Sequence, residues 1–256
     1  MKSGSFNGKG AHYEVTDSTI AIGPVYFYWL EESERSGNAA IYGPVRVRTM
    51  PLPTEAMASY SVPAPATEQD MLVKATAAEL SKAGLPVDTT DASEYKAWIG
   101  TNEVPLYVST WRGTLAEDQF VLFYCRRAPG HELQVSLGVG SDARRMLYGY
   151  AGPIGGTLYT DRVTTGGPLV FPIGDTHYTC LIMGLKEDAA WVLDVTDPLS
   201  PTMLYGYSFL STEIGNAVYL SYFPETGQAR CLLAEPDAVI TLDQMRRMAE
   251  DPDAIP

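Results

Sequence analysis

The chain contains 256 residues and carries 31 acidic against 18 basic side chains, which gives a formal net charge of -13 at pH 7. Hydrophobic residues make up 45% of the sequence, and a disordered chain would be much poorer in them. A general nucleic-acid-binding protein is excluded as well, because binding to phosphates depends on positive charge. The composition predicts an acidic globular protein with a sizeable core, and it indicates no cofactor.

No apolar stretch approaches the roughly twenty residues that a membrane-spanning helix needs, so no membrane span is predicted. The first residues include Lys2 but lack the apolar segment of a signal peptide. Basic residues are scattered in pairs, and each pair is predicted to lie on a solvated face. These pairs are Arg126–Arg127, Arg144–Arg145 and Arg246–Arg247.

Residues 1–50 are predicted to form an N-terminal β-hairpin region. Apolar, β-branched and aromatic residues dominate 19–32 and 39–50, with a polar turn between them. Each predicted strand contains a Gly-Pro pair, at 23–24 and at 43–44. Because proline cannot donate a hydrogen bond to a strand ladder, each pair indicates a bulge or an edge.

The segment 51–66 is rich in Pro and Ala and is predicted to be a linker to a β-rich main domain, residues 67–256. From about residue 94, short runs of β-branched and aromatic residues alternate with Gly- and Pro-containing turns. Strands at such spacing indicate an antiparallel sandwich or a propeller-like meander. The predicted fold class is mainly β with two short helices.

The first helix is predicted near 68–83. Thr67 would be its N-cap, acidic residues follow in the first turn, and Leu72 and Leu80 fall on one face. Gly84 is placed to end it. Both leucines are expected to pack onto a sheet.

The second helix is predicted near 242–250. Thr241 and Gln244 have the spacing of a capping box, in which each side chain bonds a backbone amide of the other residue. Met245 and Met248 lie one turn apart and are expected to face the protein.

The pentapeptide MLYGY occurs twice, at 146–150 and at 203–207. Two copies are consistent with a duplicated β-meander, or with coincidence in a chain that has 16 tyrosines. Tyrosines at alternate strand positions are typical of a half-exposed sheet face, which serves either ordinary cross-strand packing or recognition of a protein or glycan. The predicted binding tyrosines are Tyr148, Tyr150, Tyr205 and Tyr207.

The segment Trp191–Tyr207 reads WVLDVTDPLSPTMLYGY. Its D-V-x-D-P-x-x-P pattern, from Asp194 to Pro201, resembles the blade motif of secreted and cell-surface β-propellers such as the type IV pilus tip adhesins. The resemblance covers this one segment and implies a strand–turn–strand unit without a catalytic residue. Asp197 is suited to accept hydrogen bonds from the amides of its own turn. Asp194 and Asp197 join the predicted binding residues.

The sequence gives little support for a catalytic site or a metal site. On a strand, Asp175 and His177 would share one face and Cys180 would lie on the other, so no metal site is predicted. A carboxylate pair for glycoside hydrolysis stays open, and Asp161 and Asp194 are its least ordinary candidates because they interrupt apolar strands. The cysteines lie in apolar runs and are predicted to be buried, with a disulfide left open: Cys125, Cys180 and Cys231.

Three functions are compatible with these observations. The first is a non-catalytic binding or structural module, cell-surface or secreted, that recognises a protein or glycan through tyrosine-rich sheet faces. The second is a carbohydrate-active hydrolase that uses a carboxylate pair. The third is an acidic cytoplasmic partner or inhibitor that covers a basic surface, which the net charge of -13 allows.

Overall fold

The computed structural model describes residues 25–33, 39–48, 55–152, 158–162, 168–174, 178–213 and 215–250. The chain divides into two compact units, Met1–Pro51 and Leu52–Pro256. Among the described residues, no helix is long and apolar enough to cross a membrane.

The first unit contains an antiparallel hairpin of strands β1 (Val25–Ser33) and β2 (Ala39–Arg48). Tyr28 is paired with Val45 and Leu30 with Tyr42, so Gly43 and Pro44 together lie opposite the single residue Trp29. Gly43 has a φ of 124°, which side chains rarely tolerate. The Gly-Pro pair at 43–44 is therefore a β-bulge, as predicted, whereas the pair at 23–24 lies outside the described residues.

The second unit is mainly β, as the sequence predicts, with two helices. The helices are α1 (Ala77–Lys82) and α2 (Leu242–Glu250), and two short 3-10 turns lie at Ala92–Glu94 and Pro236–Ala238. The strands are β3 (Ala56–Val62), β4 (Gln69–Thr76), β5 (Tyr95–Ile99), β6 (Asn102–Val104), β7 (Tyr107–Val108), β8 (Phe120–Arg127), β9 (Leu133–Val139), β10 (Leu147–Tyr150), β11 (Leu158–Arg162), β12 (Leu169–Gly174), β13 (Thr179–Leu185), β14 (Trp191–Asp194), β15 (Thr202–Tyr205), β16 (Ser208–Thr212), β17 (Gly215–Ser221), β18 (Gln228–Ala234) and β19 (Ile240–Thr241).

The prediction of one helix near 68–83 is wrong in its first half, which forms β4. Met71, Leu72 and Val73 are all buried in succession, and a strand buried on both faces lacks the alternation that identifies most strands. The helix begins at Thr76, whose side chain forms a capping box with Glu79. The predicted linker 51–66 also differs from the structure, because it contains β3.

The described strands of the second unit form four sheets, each named here after one of its strands. The β3 sheet has the order β3-β9-β5-β6 and the β4 sheet the order β19-β4-β8-β7. The β14 sheet has the order β10-β15-β14-β18-β12 and the β13 sheet the order β11-β13-β17-β16. Pairing is antiparallel except between β19 and β4, β10 and β15, and β11 and β13.

The four sheets stack as two sandwiches placed back to back. The core of the first sandwich lies between the β3 and β4 sheets and includes Val62, Val73, Phe123 and Leu137. The core of the second lies between the β14 and β13 sheets and includes Phe171, Ile182, Val192 and Leu220. A third apolar layer joins the β4 sheet to the β14 sheet and includes Leu72, Leu122, Tyr124, Leu193 and Leu232.

The last described segment returns to the first sandwich. β19 pairs with β4 at Val73 and Lys74, and α2 buries Leu242, Met245 and Met248 in the first core. Thr241 and Gln244 form the predicted capping box, with amide-to-side-chain distances of 2.7 and 3.2 Å. The second sandwich is therefore inserted between parts of the first.

The described residues stack in layers and form no closed barrel or propeller. The segment that resembles a propeller blade does form a strand–turn–strand unit, because β14 and β15 pair antiparallel. The described cysteines are free and fully buried: Cys125, Cys180 and Cys231.

Candidate functional site

The two MLYGY copies lie side by side in the β14 sheet, where β10 pairs in parallel with β15. The register is offset by two residues, so Tyr148 lies opposite Met203 and Tyr150 lies opposite Tyr205. Residues paired across neighbouring strands project to the same face of a sheet. Because the offset is an even number of residues, tyrosines of both copies lie on one face.

Tyr148, Tyr150 and Tyr205 form an exposed cluster, called here the tyrosine patch. Their rings pack edge to face, with centroids 6.4 Å apart for Tyr148 and Tyr205 and 5.5 Å apart for Tyr150 and Tyr205. Each of the three residues keeps half or more of its surface exposed, and the adjacent Leu147 is 67% exposed. Exposed aromatic surface of this kind is a mark of recognition sites.

Glycines hold the ring of Tyr150 in place. A Cβ atom at Gly206 would lie 2.6 Å from the Tyr150 ring, and a Cβ atom at Gly152 would lie 2.0 Å from its hydroxyl oxygen. These distances are far shorter than van der Waals contact. The ring of Tyr150 can therefore lie against the backbone only because both positions lack a side chain.

The strand β10 is the edge of its sheet. The amide of Ala151 donates to the carbonyl of Tyr205 at 2.7 Å, which is the bond toward β15. The amide of Met146 donates instead to the carbonyl of Leu106 at 2.9 Å. Because backbone groups alternate in direction along a strand, even-numbered residues of β10 point away from β15.

The backbones of Tyr148 and Tyr150 therefore point to the outer side of β10. Within the described part of the chain, the pairing on that side is the single bridge between Leu106 and Arg145, which precedes β10. The patch therefore combines exposed rings with the backbone donors and acceptors of an open strand edge.

Partial burial raises the pKa of Tyr148 from its usual value of about 10. Its phenol is therefore protonated at neutral pH and can both donate and accept a hydrogen bond. Tyr148 thus adds a neutral hydroxyl group to the exposed aromatic surface of the patch.

Asp194 is held by hydrogen bonds within the fold. Its Oδ1 accepts from the amide and the hydroxyl of Thr196 at 3.0 and 2.6 Å, and its Oδ2 accepts from the Tyr222 hydroxyl at 2.9 Å. The Thr196 hydroxyl oxygen in turn accepts from the amide of Arg230 at 2.9 Å. Oδ1 thus stabilises the turn after β14, and Oδ2 binds a tyrosine that directly follows β17.

Asp197 and Tyr207 do not join the tyrosine patch through any contact between the described residues. Asp197 accepts from the amide of Leu199 at 2.9 Å, as expected for an aspartate that bonds its own turn. Tyr207 donates its hydroxyl to the carbonyl of Ala190 at 2.7 Å and packs on the second core. Burial raises the pKa of Tyr207.

The structure describes only some of the remaining sequence candidates. Asp175 and His177 lie outside the described residues, and Asp161 lies in β11 opposite Ile182. Burial raises the pKa of Cys180 to about 12, which keeps the thiol protonated and unreactive. The described residues contain no group of His, Cys, Asp and Glu side chains that would hold a metal ion.

The environments of two charged residues differ from those that the sequence predicts. Asp70, expected in a helix, lies in β4 and is bound by Arg230 of β18. Arg127, expected on a solvated face, is 1% exposed. The alternation of side chains along β8 indicates the burial of Arg127. Phe123, Cys125 and Arg127 fall on one face of this strand, and Phe123 and Cys125 are core residues.

Comparison with known proteins gives no match: no protein family, curated protein or solved structure shows significant similarity to the chain. The geometry of the tyrosine patch is therefore the basis for a functional assignment.

Proposed function

We propose that this protein is a binding module that recognises an extended segment of a partner protein at the tyrosine patch. The observation that supports it is the exposure of Tyr148, Tyr150, Tyr205 and Leu147 on and beside an edge strand. Apolar groups that remain exposed in this way favour association, because contact removes them from water.

The open edge of β10 favours a protein segment over a glycan. A polypeptide in the extended conformation can hydrogen-bond the outward-facing backbones of Tyr148 and Tyr150. Its alternate side chains would then pack on the two rings on one face and near Leu147 on the other. A glycan would use the aromatic faces and leave the backbone groups without partners.

The net charge of the chain influences which segments bind. With -13 overall, the protein attracts basic partners and repels acidic ones at long range. We expect association to slow as the salt concentration rises, because ions screen this attraction beyond about 10 Å at 0.1 M.

The experiment is selection of displayed random peptides on the purified protein, followed by calorimetric titration of the enriched peptides. We expect the bound peptides to share apolar residues at alternate positions. The double substitution Tyr148→Ser with Tyr205→Ser should weaken their binding by roughly tenfold or more, as for central aromatic residues of an interface. N-methylation of alternate peptide nitrogens should weaken it as well.

The matched control is Trp111→Ser, which removes an aromatic side chain that is 76% exposed outside the patch. This variant should bind like the unmodified protein. The proposal is overturned if no peptide is enriched over the double variant, or if the enriched peptides bind that variant equally well. Binding on a glycan array that the double variant alone loses would assign the patch to glycans instead.

A further inference from the structure

A cavity of about 670 Å³ lies where the β4 sheet, α2 and β12 meet, away from the residues of the tyrosine patch. Its volume is within the range of small-molecule binding sites, about 300–1,000 Å³. Gln69 and Arg127 line it from the β4 sheet, Gln244 and Met248 from α2, and Val170 from β12.

Arg127 brings a buried positive charge to the wall of this cavity. Its Nη1 donates to the Gln69 Oε1 at 2.8 Å and its Nη2 to the carbonyl of Pro63. Both acceptors are neutral, and Nε has no hydrogen-bond partner among the described residues. Across the described ranges of the chain, no carboxylate is paired with Arg127. A buried guanidinium without an anionic partner is costly and unusual.

The other charged side chains that line the cavity are already compensated. Asp70 is bound by Arg230, Glu68 by Arg126 at 2.6 Å, and Asp237 by Lys186. Burial lowers the pKa of Arg127, which shows that its surroundings disfavour the charged form, but an arginine keeps its proton in a protein. The uncompensated charge of the described lining is therefore positive.

The wall also contains apolar residues beside its polar ones. Met71, Val170, Val239, Ile240 and Met248 line the same cavity as Arg127. β19 pairs with β4 at Val73 and Lys74, so the outer edge of Gln69–Leu72 has no described strand beside it. The cavity thus combines the guanidinium group of Arg127 with apolar lining residues.

We propose that this cavity binds a small organic acid whose carboxylate lies beside Arg127 and Gln69 and whose hydrocarbon part packs on the apolar wall. The carboxylate would supply the negative charge that Arg127 lacks, and a hydrogen bond between two charged groups is stronger than one between neutral groups. The inference concerns a surface separate from the tyrosine patch and goes beyond the function proposed above.

The test is calorimetric titration of the full chain with octanoate, phenylacetate, phenylacetamide and inorganic phosphate. We expect saturable binding of the two organic acids. Phenylacetamide has the shape of phenylacetate without its charge, and it should bind roughly 10- to 100-fold more weakly, as for loss of a charged hydrogen bond. Phosphate lacks the apolar part and should bind more weakly than octanoate.

Two substitutions locate the site. Arg127→Gln should remove the preference for the acid over the amide. Ala238→Trp places a large side chain at a half-buried lining position, leaves Arg127 in place and should abolish binding of both acids. The matched control is Ala66→Trp, at an exposed alanine outside the lining, which should bind as the unmodified protein does.

The proposal stays testable even if Arg127→Gln fails to fold. The comparison of phenylacetate with phenylacetamide and the Ala238→Trp variant do not depend on that substitution. The proposal is overturned if neither acid binds saturably at millimolar concentration, or if phenylacetamide equals phenylacetate. It is also overturned if Ala238→Trp binds normally, or if phosphate equals octanoate, since the site would then be a plain anion site.

Discussion

Arg230 of β18 donates two hydrogen bonds to the two carboxylate oxygens of Asp70 in β4, at 2.8 and 2.5 Å. The Asp70 side chain is only 8% exposed, and Tyr124 donates a further hydrogen bond to it. These residues belong to facing sheets of different sandwiches. The pair is therefore a polar link across the apolar layer between the β4 and β14 sheets.

Substitution of Arg230 should destabilise the protein strongly. Arg230→Met leaves the Asp70 carboxylate buried without its cation, and breaking such a pair costs about 3–5 kcal/mol. Because the Arg230 side chain is 29% exposed, we expect about 3 kcal/mol, the lower end of this range. Urea denaturation followed by tryptophan fluorescence measures the free energy of unfolding.

Lys82→Met is the matched control, because it removes the exposed pair between Lys82 and Asp243, whose side chains are 58% and 41% exposed. Lys82→Met should lower the free energy of unfolding by less than about 1 kcal/mol. Equal losses for the two methionine variants would contradict the special role assigned to the link between Arg230 and Asp70.

The same pair should make stability depend on acidity. Burial alone would raise the pKa of Asp70, but hydrogen bonds from Arg230 and Tyr124 outweigh it and hold this pKa below its ordinary value of about 3.9. The stabilisation is therefore complete above the unfolded-state pKa and is lost as the pH falls through the lower, folded-state value.

Comparison with Asp70→Asn isolates this contribution from the other carboxylates. The difference in unfolding free energy between the unmodified protein and the variant should stay constant from about pH 7 to pH 5 and shrink below about pH 4. Denaturant titrations across this range give the difference. A difference in unfolding free energy that stays constant or grows in acid would show that the fold does not hold Asp70 in its charged form.

A side chain at Gly206 should displace the ring of Tyr150. Gly206 has a φ of +89° and Gly227 a φ of +81°, but a Cβ atom at Gly227 meets nothing within 4 Å. Both alanine variants share the backbone cost of about 1–2 kcal/mol, and only Gly206→Ala forces the ring away. We expect the nuclear Overhauser contact between the rings of Tyr150 and Tyr205 to vanish in Gly206→Ala and to persist in Gly227→Ala.

The thiols should be inert in the native protein. Burial raises the pKa of each, to about 12 for Cys180, so the reactive thiolate is scarce at neutral pH. A disulfide reagent that releases a coloured thiolate should find no reactive cysteine in the native protein and all three in denaturing urea. Rapid native reaction of even one thiol would place that cysteine at the surface.

Local sequence pattern was sufficient for most strands and for α2. Short apolar runs between turn residues identify β8 and β18, and the capping box at Thr241 and Gln244 marks the start of α2. The pattern failed at β4, because Met71–Val73 faces two cores at once and therefore shows no alternation. Glutamate and alanine further along the segment then favoured a helix.

The candidate site was predictable only in part. Tyrosines at alternate positions identify Tyr148, Tyr150 and Tyr205, but their convergence depends on parallel pairing of β10 with β15, which no turn sequence specifies. Tyr207 has the same local signal and is bonded to the Ala190 carbonyl instead. Asp70 and Arg230 are 160 residues apart, and no local pattern relates residues at such separation.

The return of the last segment to the first sandwich bears on how this protein folds during its synthesis. Domains usually fold from the N-terminal end as the ribosome releases them. Here the first core lacks Leu242, Met245 and Met248 until synthesis has passed residue 248. The N-terminal sandwich therefore cannot close first, and nascent chains stalled after β18 should remain open to proteases that no longer cut once α2 has emerged.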